Sequence, residues 1–167
     1  FFDRDGTLIE NVDYLQDPDK VKPFPGTAEA LAKLRAAGVL LFLFTNQSGI
    51  GRGFFPLSVA EACNRETERR LGLEDGFDGV CIAPERPDEP PVYRKPSPRF
   101  ILETMAERNL DPKTVWMVGD NTTDMEAGLR AGVQAARIDS QASPERDEED
   151  PPVFPSVGAF ADWLIAG

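Results

Sequence analysis

The stretch that most constrains the fold is VLLFLF, an unbroken apolar run at residues 39–44. A strand that is apolar at every position must be covered on both faces, which is typical of a parallel sheet in an α/β protein. Gly38 precedes the run and ends an amphipathic segment at 27–37, which predicts a helix. A glycine-rich loop, TNQSGIGRG at 45–53, is predicted to follow. The run is therefore interpreted as a buried strand that leads into a loop at the sheet edge.

The rest of the chain repeats this alternation of strands and helices. Further strands are predicted at 1–2, 77–83, 115–118 and 133–138, and further helices at 58–71, 97–109, 123–131 and 156–165. Ser58 and Glu61 predict a capping box for the second helix. A proline-dense loop at 84–96 and an acidic, solvated loop at 143–152 complete the interpretation. We expect one domain, 1–167, with a Rossmann-like, mostly parallel sheet flanked by helices.

Only Phe1 and Phe2 precede the first aspartate, whereas a buried strand normally has four or more residues. We therefore expect further residues upstream of Phe1 in the full protein.

Composition excludes several classes of function. The net charge of -11 opposes binding to nucleic acid or to anionic membranes, so an anionic substrate needs a local positive site. The chain has no histidine, which excludes Ser-His-Asp triads and histidine-ligated zinc. Two cysteines do not make a disulfide framework, and no run has the length of a membrane span. We expect a cytoplasmic monomer.

Polar side chains follow the predicted strands at their carboxyl ends. Asp3 and Asp5 follow the first strand, Thr45 the second and Asp120 the fourth, while Lys95 lies in the loop after the third. Singly, each has an ordinary interpretation: a turn aspartate, a strand end, a helix cap or a surface lysine. Together they fall on the edge where parallel sheets bind ligands, which favours an active site.

Four carboxylates would meet there, from Asp3, Asp5, Asp120 and Asp124. Unpaired, they would repel one another and some would stay protonated. Oxygen ligands without histidine or cysteine favour Mg²⁺, which commonly shares its shell with substrate phosphate.

Donors for phosphate oxygens are expected from Thr45, from the amides around Asn46 and Gln47, and from Lys95. Carboxylates, a hard cation and phosphate donors together predict phosphoryl transfer.

The ordered motifs resemble those of the haloacid dehalogenase superfamily. They are DRDGT at 3–7, Thr45-Asn46, Lys95-Pro96 and GDNTTD at 119–124. TNQSGIGRGFF at 45–55 and YRKPSP at 93–98 are most similar to its small phosphatases for heptose bisphosphate and histidinol phosphate, which have almost no cap domain. The resemblance implies the same fold without a large cap.

The resemblance also implies roles for the carboxylates. Asp3 would attack phosphorus and form an aspartyl-phosphate, and Asp5 would protonate the leaving alcohol and then activate water. Asp3, the backbone carbonyl of Asp5, and Asp120 would hold Mg²⁺, with Asp124 supporting them.

Thr45 and Lys95 would hold the transferring phosphoryl group. Arg52 and Arg94 lie at motif positions where a second, distal phosphate could be held; the alternative is that both are rim arginines that offset the acidic surface.

The chain departs from the subgroup in its zinc loop. The usual ligand positions correspond to Ala83, Glu85, Pro91 and Tyr93, which supply neither thiolate nor imidazole. We therefore predict no structural zinc.

The predicted function is a Mg²⁺-dependent phosphatase for a small phosphorylated metabolite, most plausibly a sugar bisphosphate such as D-glycero-D-manno-heptose 1,7-bisphosphate. The alternatives are a histidinol-phosphate or other sugar monophosphate phosphatase, and a catalytically inactive phosphate-binding module. Retention of Asp3 disfavours the inactive module, since a decayed site usually loses its nucleophile first.

Overall fold

A computed structural model of the chain describes residues 1–141 and 151–167. Its helices are α1 (Thr27–Ala36), α2 (Ser48–Gly51), α3 (Leu57–Arg70), α4 (Arg99–Arg108), α5 (Thr122–Arg130) and α6 (Val157–Ala166). Its strands are β1 (Phe42–Asn46), β2 (Gly79–Ala83), β3 (Trp116–Gly119), β4 (Gln134–Ile138) and β5 (Val153–Phe154). Most of the predicted acidic loop lies outside the described residues.

The strands pair in parallel, and the N-terminal residues join them into one sheet. β1 pairs with β2, and β4 lies between β3 and β5. Phe2 donates to the carbonyl of Phe42 and accepts from the amide of Phe44, both at 2.8 Å. On the other side, the amide of Asp3 donates to Val118 at 2.9 Å. The spatial order is therefore β2, β1, the N-terminal segment, β3, β4, β5, and the predicted α/β class is confirmed.

From Phe42 onward the apolar run is covered on both faces as predicted, because alternate side chains enter different cores. Leu43 joins a cluster with Leu34 of α1 and Phe160 of α6. Phe44 joins a second cluster, with Ile101 of α4 among its members. Successive residues of a strand point to opposite faces, so the helices cover the sheet on both sides.

The boundary of this strand differs from the prediction. The strand begins at Phe42 and includes Thr45 and Asn46, which pair with Ile82 and Ala83 of β2. The amide of Val39 instead donates to the carbonyl of Leu34 and closes the end of α1. The functional pair Thr45-Asn46 is thus held in the sheet rather than in a loop.

The predicted capping box at Ser58 and Glu61 is wrong. Helix α3 begins at Leu57 after an extended Pro56, and no side chain caps it. The capping box lies instead at α5, where Asn121 and Asp124 satisfy each other's backbone amides.

Among the described residues, helix α2 and strand β5 are short elements that the sequence did not predict. Helix α2 forms a single turn inside the glycine-rich segment, and a Cβ on Gly49 would lie 2.4 Å from the ring of Phe55. Strand β5 pairs Val153 with Arg137 and extends the sheet by only two residues. Within the described ranges, no cap domain interrupts the fold, and no helix has the length and apolarity needed to cross a membrane.

Candidate active site

The two N-terminal aspartates leave the sheet between β1 and β3. Asp3 is buried and is the last residue held by the sheet, and Asp5 is half-buried at the start of a turn. Gly6 has a φ of 85°, and a Cβ there would lie 2.4 Å from Oδ2 of Asp120. Glycine is therefore required both for the left-handed turn and for the close approach of Asp120.

Three carboxylates converge at this edge of the sheet. Asp3, Asp120 and Asp124 each place one oxygen so that all three lie within 4.8 Å of one another. The carboxylate of Asp5 is outside this group, so the predicted binding of the metal through its backbone carbonyl stays a prediction. Thr7 donates to Oδ1 of Asp120 at 3.1 Å and helps to orient it.

Crowding of these charges changes their proton affinity. Burial raises the pKa of Asp3 to about 6, and the negative charges of Asp124 and Asp5 add to this, although Lys95 opposes it. Burial, followed by the charge of Asp3, also raises the pKa of Asp120. The cluster is thus short of positive charge, as expected of a site for a cation.

Lys95 is the buried cation of the site. Its Nζ lies 2.7 Å from Oδ1 of Asp3, 2.6 Å from Oδ1 of Asp124 and 2.8 Å from the carbonyl of Phe44. Burial alone would lower the pKa of Lys95, but the two carboxylates outweigh it and the pKa is raised. The ammonium group is therefore charged at neutral pH, and it contacts the predicted nucleophile directly.

Asn46 holds the backbone of Lys95. The amide of Lys95 donates to Oδ1 of Asn46 at 2.9 Å, and Nδ2 of Asn46 donates to the carbonyl of Lys95 at 3.2 Å. The side chain of Asn46 therefore positions the lysine, and phosphate binding by the amides around Asn46 and Gln47 stays a prediction.

Gln47 connects two other predicted site residues. Its Nε2 donates to Oδ2 of Asp5 at 2.9 Å and to Oγ1 of Thr45 at 2.8 Å. Thr45 is fully buried. The side chain of Gln47 therefore links Asp5 to a buried residue of β1 and helps to orient the Asp5 carboxylate.

Arg4 is a site residue that the sequence interpretation missed. It is completely buried, and its Nε and Nη2 donate to the two oxygens of Asp5 at 3.2 and 3.0 Å. Its Nη1 donates to Oδ1 of Asn64 on α3 at 2.8 Å. An arginine between two aspartates at a buried strand end is the signal that points to such a pairing.

A cavity of about 380 Å³ opens beside Asp5. Tyr14 and Gln47 are among its lining residues, so the predicted acid–base group faces open space. Another cavity of about 380 Å³, near Phe1 and Trp116, is lined mainly by apolar side chains and lies away from the carboxylates.

The two predicted arginines lie in the segments that follow α2 and precede α4. Arg52 is exposed just after α2, and Arg94 is half-buried in the loop before α4. Burial lowers the pKa of Arg94, and the charge of Arg52 lowers it further, while Glu85 opposes the change. The structure therefore brings the two guanidinium groups within electrostatic range of each other.

Residues 10–132 match the family of haloacid dehalogenase-like hydrolases. This chain belongs to that family. The match covers most of the chain, so the predicted family and the prediction of a hydrolase are confirmed.

Relatives named D-glycero-beta-D-manno-heptose-1,7-bisphosphate 7-phosphatase are similar over most of their length. The protein from Pseudomonas putida is 32% identical over 169 residues, which cover 98% of this chain and 97% of the relative. The protein from Pasteurella multocida is 38% identical over 144 residues, covering 80% of this chain and 77% of the relative. These names agree with the predicted phosphatase activity.

Solved structures show the same architecture. The D,D-heptose 1,7-bisphosphate phosphatase of B. bronchiseptica, complexed with magnesium and phosphate, has a TM-score of 0.86 and 28% identity, over 99% of this chain and 96% of that one. A putative HAD-like phosphatase from Mesorhizobium loti has a TM-score of 0.79 and 31% identity, over 99% of this chain and 83% of that one. The prediction of a family fold without a large cap is confirmed.

Proposed function

We propose that this chain is a Mg²⁺-dependent phosphatase that hydrolyses D-glycero-D-manno-heptose 1,7-bisphosphate or a closely similar sugar bisphosphate. The observation that carries the proposal is the contact between Asp3 and Lys95, at 2.7 Å, inside a cluster of buried carboxylates. A charged lysine beside a carboxylate nucleophile offsets the charge of an incoming phosphoryl group. The similarity to heptose bisphosphate phosphatases along nearly the whole chain supports the substrate.

The donor set fits Mg²⁺. Asp3, Asp120 and Asp124 offer only oxygen ligands, and Oδ1 of Asp124 is buried with no hydrogen bond of good geometry, although Lys95 lies close by. These residues, with the backbone carbonyl of Asp5, would hold the ion. When bound, the ion neutralises the carboxylates and the phosphoryl oxygens, so that the anionic substrate can approach the nucleophile.

Asp3 then acts as the nucleophile. Its carboxylate oxygen bonds to phosphorus while the bond from phosphorus to the sugar oxygen breaks, which leaves an aspartyl-phosphate. Asp5 supplies the proton that the leaving sugar oxygen needs. Water then attacks the phosphorus, Asp5 takes a proton from it, and phosphate leaves with Asp3 regenerated.

The orientation of Asp5 is set by its neighbours. Arg4 and Gln47 both donate to its carboxylate, which fixes its orientation toward the cavity. Thr45 and Lys95 are proposed to hold the transferring phosphoryl group, and Lys95 is already placed next to the nucleophile.

Arg52 and Arg94 are proposed to hold the second phosphate of the substrate. The segment that leads into Arg52 contacts the carbonyl of Pro84, and Arg94 contacts that of Glu85, the next residue, which supports a joint role for the two positive charges on a doubly charged group. Arginine suits such a contact because its guanidinium binds phosphate in a bidentate manner. The alternatives of histidinol phosphate and of an inactive binding module are not favoured by the relatives described above.

A kinetic panel tests the proposal. Heptose 1,7-bisphosphate is compared with heptose monophosphates, histidinol phosphate and a chromogenic phosphate ester, with Mg²⁺ or EDTA, for the wild type and for Asp3→Asn. We expect the highest kcat/KM for the bisphosphate, with activity lost in EDTA and in the variant. Equal kcat/KM for mono- and bisphosphates would contradict the substrate, and full activity of Asp3→Asn would contradict the mechanism.

The two arginines are tested in the same panel. Arg52→Ala and Arg94→Ala should each raise KM for the bisphosphate about tenfold or more, because each removes charge-assisted hydrogen bonds to phosphate. Arg130→Ala, which removes an exposed arginine from the far end of α5, is the control and should leave KM unchanged. An unchanged KM in both rim variants would show that they only offset the acidic surface.

A further inference from the structure

Glu85 makes a contact that neither the family match nor the proposed mechanism explains. One oxygen of its carboxylate, Oε1, accepts hydrogen bonds from the amides of Val92, Tyr93 and Arg94, at 2.8, 2.5 and 3.2 Å. Three successive amides aimed at one oxygen form an anion-binding backbone, here occupied by a side chain of the same loop. These amide bonds lower the pKa of Glu85 against the effect of its burial, so the carboxylate is charged at neutral pH.

Glu85 is itself fixed to the rest of the site. The carbonyl of Ala83, at the end of β2, accepts from the amide of Gln47 at 2.7 Å, and the carbonyl of Pro84 accepts from Gly51 at 3.1 Å. A Cβ on Gly51 would lie 2.5 Å from the carbonyl oxygen of Pro84, so this approach requires glycine. The start of the loop is therefore locked onto α2, the helix that leads directly into Arg52.

The other end of the loop is held through Arg94. Its amide donates to the carboxylate of Glu85, and its Nη1 donates to the backbone carbonyl of Glu85 at 3.3 Å. Pro84 thus contacts Gly51, the residue before Arg52, and Glu85 contacts Arg94. The neighbouring Lys95 has separate supports in Asn46 and in the carboxylate cluster, which do not involve Glu85.

We propose that Glu85 is a positioning residue that closes the loop between β2 and α4 and sets the placement of Arg94 relative to Arg52. Its carboxylate links residues 92–94 to the end of β2 through hydrogen bonds from their amides. The kinetic consequence rests on the proposed function: the carboxylate governs affinity for the second phosphate, whereas chemistry at Asp3 stays independent of it.

The test compares Glu85→Ala and Glu85→Gln with Asp88→Asn, which removes one negative charge from an exposed side chain of the same loop. NMR amide exchange is measured for residues 92–94 in each protein. We expect exchange to accelerate about tenfold or more in Glu85→Ala, since charge-assisted hydrogen bonds are lost, and less in Glu85→Gln, which keeps an accepting oxygen. The control should match the wild type.

Kinetics provide the second readout. In Glu85→Ala, KM for the bisphosphate should rise about tenfold while kcat stays within about twofold, because Lys95 keeps its own supports. KM and kcat for a chromogenic monophosphate should not change. Glu85→Gln should lie between the alanine variant and the wild type, and it serves as the test if Glu85→Ala does not fold.

The positioning role of Glu85 and the proposed binding of the second phosphate fail in different ways. Unchanged exchange at residues 92–94 in the Glu85 variants, or an equal change in Asp88→Asn, would overturn the positioning role whatever the substrate is. A parallel loss of kcat on mono- and bisphosphates would also overturn it, since general damage to the site would explain that result. A third result separates the two claims: amide exchange is accelerated in the Glu85 variants, but Arg94→Ala does not change the kinetics. That result would uphold the role of Glu85 in the loop and overturn the assignment of Arg94 to the second phosphate.

Discussion

Asp3→Asn is expected to stabilise the metal-free protein at neutral pH although it removes the proposed nucleophile. The pKa of Asp3 is raised from 3.8 to about 6, chiefly by burial and then by neighbouring carboxylates. Because the pKa of Asp3 is higher in the folded state than in the unfolded state, protonated Asp3 favours folding. This contribution is complete at pH values below the unfolded pKa, and it is lost as the pH rises through the folded pKa. Asparagine carries no such titration.

The shift in the pKa of Asp3 sets the size of the change in the free energy of unfolding. The shift corresponds to about 3 kcal/mol, because each tenfold change in proton affinity is worth about 1.4 kcal/mol. The variant should therefore gain up to about 3 kcal/mol over the wild type at pH 7.5. The difference should shrink as the pH falls below about 6 and should vanish below 3.8, where Asp3 is protonated in both states.

Urea unfolding in EDTA, at several pH values, measures the difference in free energy of unfolding. Asp75→Asn, which neutralises an exposed carboxylate, is the control and should show little difference from the wild type. Mg²⁺ at about 1,000 times its Kd should reverse the order, since such an excess stabilises the protein that binds it by about 4.1 kcal/mol, which exceeds the variant's gain of about 3 kcal/mol in EDTA. A variant less stable than the wild type in EDTA at pH 7.5, or a difference independent of pH, would refute the reasoning.

Three other predictions concern the supports of the site. Arg4→Met should lower kcat about tenfold or more and cost about 1 to 3 kcal/mol in urea unfolding, because Asp5 and Asn64 lose a buried partner; an unchanged kcat would contradict its role in orienting Asp5. Asp120→Asn should raise the Mg²⁺ concentration for half-maximal activity about tenfold or more, measured by titration of the rate, and an unchanged requirement would remove it from the metal site. Metal analysis of the purified protein should find no stoichiometric zinc, and its presence would contradict our interpretation of the loop around Glu85.

Much of the fold was predictable because it depends on local patterns. The unbroken apolar run identified a strand covered on both faces, and the structure places Leu43 and Phe44 in different cores. The short N-terminal strand was not understood from the sequence alone. Phe2 compensates for its length with backbone bonds to β1 and lies between both neighbouring strands. The error at Ser58 arose because Pro56 already provides an extended start to α3.

The site was predictable where it depends on strand ends, and not where it depends on packing. The carboxyl ends of the strands place Asp3, Asp120 and Lys95 together, as their sequence positions indicated. Arg4 and Asn64 are 60 positions apart along the chain, so no local sequence pattern predicts their hydrogen bond. The contact of Glu85 with amides seven to nine residues later depends likewise on the closed form of the loop.

The central claim is that Asp3 becomes phosphorylated by a sugar bisphosphate. Its most direct test is an acid quench of the enzyme during turnover of heptose 1,7-bisphosphate labelled in both phosphates, followed by mapping of the labelled peptide. We predict label on the peptide that contains Asp3, dependent on Mg²⁺ and absent in Asp3→Asn. Rapid release of labelled phosphate with no labelled peptide, and with activity retained in Asp3→Asn, would contradict the account.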